Sequence, residues 1–96
     1  MINMNRLVEG LFEKVTVMNE LGLHARPAAK IATLASKATS PVWLIKNGKQ
    51  VDASSIIDIL SLGCTKGTSI TLKIENPKDI TILKGIVELI SRGFKE

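Results

Sequence analysis

The 96-residue sequence predicts an α+β domain, a small sheet covered on one face by helices. Three observations carry this. Residues 12–18 and 69–75 alternate in polarity, as half-buried strands do. Apolar residues at helical spacing follow each of those stretches. Asn47-Gly48 splits a β-rich stretch into a hairpin. The implied order is β-α-β-β-α-β-α, and one covered sheet face buries all the apolar stripes together.

The elements follow in order. Residues 1–10 lack periodicity and read as an N-terminal extension to a single domain spanning 11–96. Over 12–18, Val15 and Val17 share one face of a strand, with Lys14 and Thr16 on the other. Asn19-Glu20-Leu21-Gly22 interrupts it. Ala28, Ile31, Ala32 and Ala35 recur at helical spacing from Ala25 onward. Pro27 falls in the first turn of that helix, where a missing N–H costs little. The helix should stop near Lys37, before Thr39-Ser40-Pro41.

Val42-Trp43-Leu44-Ile45 and a return strand from Lys49 to Asp52 make the hairpin. Ile56 to Leu60 form a short apolar helix that ends by Gly63. In the strand from Ser69 to Glu75, Ile70, Leu72 and Ile74 face the core. Asn76-Pro77 turns the chain. A last helix places Ile80, Leu83, Ile86, Val87 and Ile90 on one stripe.

Composition excludes several classes. Hydrophobic residues make up 45% and charged residues 23%, a globular balance. The net charge is +4, but the basic residues are scattered and only Phe12, Trp43 and Phe94 are aromatic. A nucleic-acid binder usually shows a basic stripe or stacking aromatics, and a positive surface that meets acidic protein partners is at least as good an account of this charge. No apolar run reaches a membrane span and no signal-peptide core is present, so a cytoplasmic protein is expected. The single cysteine, Cys64, excludes an internal disulfide and reads as a small buried hydrophobe.

Chemistry concentrates in Gly22-Leu23-His24-Ala25-Arg26-Pro27-Ala28. Gly22 lets the chain bend. His24 then falls at or near the N-cap of the first helix, whose free amides and dipole favour an anion. Arg26 offers a guanidinium fork that matches phosphate oxygens. A neutral imidazole can attack phosphorus, so nucleophile and anion site coincide. The bland reading is a histidine that only caps a helix. His24 is the sole histidine, which argues against a metal site.

The run Gly22–Ala28 resembles the active-site signature of the HPr family, the histidine-containing phosphocarriers of the bacterial phosphoenolpyruvate:sugar phosphotransferase system. The resemblance covers about residues 12–94 and includes Asn47-Gly48-Lys49, Ser55 and Leu62-Gly63-x-Thr65-x-Gly67-Thr68 in one register. It implies an open-faced β-sandwich, a four-stranded antiparallel sheet with three helices on one face. It also implies that His24 accepts a phosphoryl group from phospho-Enzyme I and passes it to sugar-specific enzyme II A domains. Arg26 and the first-turn backbone of Ala25 and Arg26 would hold the phosphate. No metal or other cofactor is implied, and the protein would be a substrate of other enzymes, without turnover of its own. A monomer is expected.

Ser55-Ile56-Ile57-Asp58 fits a capping box, so Ser55 has a purely structural reading worth ~1 kcal/mol. The resemblance implies a second role, as the serine modified by HPr kinase/phosphorylase; Ser54 is its neighbour. Leu23, Ile56, Ile57 and Leu60 form a candidate docking patch beside His24. Thr33 and Ser36 stand where many members carry lysine, and Asp58 is acidic where a basic or neutral residue is usual. The alternatives are a regulatory binding module that is phosphorylated on Ser55 and controls a transcription factor or kinase, and a paralogue serving a nitrogen-linked phosphotransfer chain. A nucleic-acid binder ranks last.

Overall fold

The computed structural model describes residues 11–95, so the expected extension over 1–10 lies outside them. Four strands are present: β1 Phe12–Thr16, β2 Val42–Lys46, β3 Lys49–Asp52 and β4 Ser69–Ile74. The helices are α1 Ala25–Ala35, α2 Ile56–Ser61 and α3 Ile80–Ser91. A 3₁₀ turn, Pro77–Asp79, leads into α3. The strands pair antiparallel in the order β1-β4-β2-β3, so β4, late in sequence, lies between β1 and β2.

Period-two patterning decides which face is covered. Val15 pairs with Ile70, Leu44 with Leu72 and Val51, and Val42 with Ile74; all are buried on the helix side. Ile31 of α1, Ile59 of α2, and Leu83, Ile86 and Ile90 of α3 are fully buried against them. Each such side chain contributes about 1.5–3 kcal/mol of hydrophobic stabilisation. The other face stays open. There Lys73 sits 5.7 Å from the Phe12 ring centroid, and Trp43 Nε1 donates to Glu75 Oε2 at 2.6 Å.

Boundaries differ from expectation where the regular ladder stops before the apolar pattern does. β1 ends at Thr16, yet Val17 is fully buried and still exchanges bonds with Thr68 O (2.9 Å) and Gly67 N (2.8 Å). α1 ends at Ala35, and Ser36 caps it. The turn expected at Asn76-Pro77 is the 3₁₀ segment, with the Asn76 side chain accepting from Lys78 N at 2.9 Å. Asn47 and Gly48 both have positive φ, 48° and 82°, as the two-residue hairpin requires.

One buried carboxylate ties the layers together. Asp79 is only 3% exposed and accepts from the amides of Thr39 (2.7 Å) and Ser40 (3.0 Å). It thereby fixes the α1–β2 loop to the start of α3. The Thr39 amide, with Ser40 acting in the same sense, holds its carboxyl below the ordinary value of 3.8 against the opposing effect of burial.

Candidate functional site

The loop between β1 and α1 builds the site. Asn19 Nδ2 donates to Gly22 O at 2.5 Å, and Gly22 N donates back to Asn19 O at 3.0 Å. Gly22 has φ +67°, and a Cβ there would collide with the Cys64 carbonyl. Glycine is therefore required both for its backbone and for the close approach. Leu23 N then donates to Cys64 O at 2.9 Å, which pins the chain just before the helix.

His24 follows as the N-cap of α1, with extended backbone (φ −80°, ψ −170°) and an exposed side chain. Ala28 N donates to His24 O at 3.0 Å and starts the helical ladder. No side chain caps this end, and its first turn carries no acidic residue. Pro27 supplies no N–H, so the first-turn donors are Ala25 and Arg26. No hydrogen bond engages either amide among the described residues. Both residues are exposed. An open cleft of about 630 Å³ adjoins them, ample for a phosphoryl group. His24, Arg26, Lys30 and Phe94 are among its lining residues.

Ser55 occupies the corresponding position on α2. Its Oγ accepts from Asp58 N at 3.2 Å. Only half of the expected capping box forms, because Ser55 N donates to Asp52 O at 3.1 Å. Ser54 is engaged differently: its N and Oγ both donate to Asp52 Oδ1, at 2.8 and 2.7 Å.

The expected patch is assembled only in part. Ile56, Ile57 and Leu60 are 40%, 78% and 42% exposed. Ile56, Ile57 and Ser55 line a groove that α2 forms with Ala29, Ala32 and Thr33 of α1. Leu23 is a correction: it is 4% exposed and belongs to the core. The left-handed turn at Gly22 and the bond to Cys64 O turn its side chain inward, while the next residue points out.

Two features escaped the sequence reading. Asn19 anchors the turn through its side-chain amide, which donates to Gly22 O three residues on. Gly93 and Phe94 reach the His24 cleft from the far end of the chain, and nothing local announces it. Cys64 is buried at 5% exposure, as expected; burial pushes its thiol up, with Lys46 opposing. Among the described residues, no helix is long and apolar enough to cross a membrane.

Fold and site define a small open-faced domain that presents an exposed imidazole on an open helix N-terminus. Known proteins give that class a family. The PTS-HPr family model, described as the PTS HPr component phosphorylation site, matches residues 12–92. Phosphocarrier protein HPr of Cupriavidus necator is 38% identical over 81 residues, 84% of this chain and 91% of that protein. The crystal structure of HPr-C-His from Thermoanaerobacter tengcongensis matches with TM-score 0.82 and 39% identity, over 88% of this chain and 96% of that one. HPr from Bacillus anthracis matches with TM-score 0.77 and 31% identity, over 83% and 95% of the two chains. The chain belongs to the PTS-HPr family.

Proposed function

We propose that this chain is a cytoplasmic, monomeric phosphocarrier that receives a phosphoryl group on His24 from phospho-Enzyme I and delivers it to sugar-specific enzyme II A domains. One observation carries the reading: an exposed imidazole at the N-cap of a helix whose first-turn amides have no internal acceptor among the described residues. The imidazole nitrogen attacks phosphorus, and the bond to the donor histidine breaks. The amides of Ala25 and Arg26 and the Arg26 guanidinium then face the phosphoryl oxygens. Delivery is the same displacement in reverse, with the acceptor's histidine attacking. The protein gains and loses one group per cycle and depends on its partners for turnover.

The test is incubation with phosphoenolpyruvate and Enzyme I. An acid-labile phosphate should form on the wild-type protein and be absent from His24→Ala. Equal labelling of the two would overturn the assignment.

Ser55 is proposed as a second, regulatory site, modified by HPr kinase/phosphorylase and read by a transcriptional regulator. Its hydroxyl meets a backbone amide at the start of α2, whereas the Ser54 hydroxyl is bound to the Asp52 carboxylate, which repels a phosphate. Phosphate at Ser55 would put about −1.5 to −2 charges beside the exposed Ile56–Leu60 patch, where Enzyme I is proposed to dock. ATP and the kinase should give an acid-stable phosphate that Ser55→Ala abolishes. Label that persists on Ser54 would refute the choice of serine.

A further inference from the structure

The end of α3 holds a feature that capping does not require. Arg92 is the C-cap, Gly93 N donates to Ile90 O at 3.0 Å, and Phe94 N donates to Leu89 O at 2.8 Å. These bonds complete a Schellman motif, which needs one left-handed residue, and Gly93 at φ +65° supplies it. Phe94 is left-handed as well, at φ +62°. A bulky non-glycine residue there is strained, and such strain persists only where packing holds it.

Packing does hold it. Phe94 is partly buried against the core, and it lines the cleft that also holds His24 and Arg26. Gly93 lies against the turn that leads to His24, since a Cβ on it would stand 3.7 Å from Asn19 N and from Met18 Cβ. The second left-handed residue thus folds the chain back and puts Phe94 in the wall of the cleft that His24 and Arg26 line. The ring has no donor or acceptor to offer a phosphate. It can exclude solvent from that side.

From this geometry we infer that Phe94 shields the phosphoryl group on His24 from hydrolysis. The inference rests on the phosphocarrier reading. In the reaction it opposes, a water oxygen attacks phosphorus and the P–N bond breaks. Its electron pair returns to the imidazole, and the water gives up a proton, leaving inorganic phosphate and free His24. A wall of apolar surface lowers the number of water approaches without touching the reacting atoms.

Loading can bypass the partners. His24 is the only histidine, so phosphoramidate places its label there alone. Decay of the phosphohistidine is then followed by phosphorus NMR at neutral pH, well below the melting temperature. Phe94→Ala should shorten the half-life roughly threefold or more, and Phe94→Leu, which keeps apolar bulk, should restore it to nearly the wild-type value. Should Phe94→Ala not fold, Phe94→Gly removes the ring and is unstrained at this backbone angle. Equal half-lives for wild type and the ring-less variant would overturn the inference, as would Phe94→Leu decaying as fast as Phe94→Ala. A wild-type protein that labels with phosphoramidate but not through Enzyme I would sink the phosphocarrier reading and leave the lifetime comparison standing.

Discussion

The amino ends of α1 and α2 face the same problem and answer it in opposite ways. Every helix begins with amides that its own ladder does not use. At α2 the chain supplies the answer: Ser55 Oγ accepts from Asp58 N, and Asp58 adds an acidic side chain to the first turn. At α1 it supplies none: the N-cap is His24, no side chain caps it and no acid follows. Asp79 extends the contrast, since it fills the Thr39 and Ser40 amides with a buried carboxylate. Where the fold must be held, acceptors are built in; at α1, where the phosphoryl group is proposed to arrive, the first-turn amides have no acceptor among the described residues.

The sharpest way to break this contrast is at α1. Arg26 is exposed and makes no ion pair among the described residues, so Arg26→Ala should leave stability within about 0.5 kcal/mol. Phosphoryl transfer should instead fall on the order of 10²-fold, as when one charge stabiliser is removed from a reacting centre. Rapid-quench labelling with Enzyme I measures it. A loss smaller than about threefold would mean that the open amides suffice without the guanidinium.

Asp79→Asn makes the reverse change, weakening a built-in acceptor and leaving the open site alone. The melting temperature should fall by several degrees at neutral pH, with chemical labelling of His24 unchanged. The pH dependence has a fixed sign. Because the folded-state pKa of Asp79 is lowered, its contribution is full above the ordinary value of 3.8 and is lost as pH falls through the lowered value. Urea midpoints of wild type and Asp79→Asn should therefore converge in strong acid. A gap that persists there would show that side-chain shape, not charge, holds the loop.

Asp79 also marks the limit of what the sequence could tell. Its partner Thr39 is 40 residues away, and no local pattern pairs a carboxylate with those amides. Elements whose cause is local were legible: the Asn47-Gly48 hairpin, the alternation of β4 and the apolar stripe of α3. His24 was legible as an N-cap because Gly22, Pro27 and the alanines act within one turn of it. Leu23 was misread because its direction is set by Cys64 O across the fold, not by its exposed neighbour. Phe94 was unread for the same reason, since its place in the cleft depends on how α3 packs.

At α2 the expected effect is smaller. Ser55→Ala removes one cap and should cost about 1 kcal/mol, read as a drop of roughly 4–8 °C in Tm for a domain of this size. Labelling of His24 by phosphoramidate should not change. Ser55→Asp keeps an acceptor at the cap and should recover most of the loss while slowing loading by Enzyme I. If Ser55→Ala slows chemical labelling, the two helix ends are coupled, and the division between a filled and an open site fails.

The smallest effect separates packing from docking on α2 itself. Ile59 and Ile57 are two residues apart on one short helix, but Ile59 is fully buried and Ile57 is 78% exposed. Ile57 therefore has little burial to lose, and Ile57→Ala should shift stability by no more than about 0.5 kcal/mol. Its apolar surface gains a role only when a partner covers it. Partial burial in an interface is worth less than the ~1.5–3 kcal/mol of full burial, so the KM for loading by Enzyme I should rise roughly threefold. The kcat should stay the same, because the substitution does not touch the His24 cleft. A fall in kcat with KM unchanged would place Ile57 in the transfer step. No change in either would remove α2 from the Enzyme I interface and leave Ser55 as a cap without a docking surface beside it.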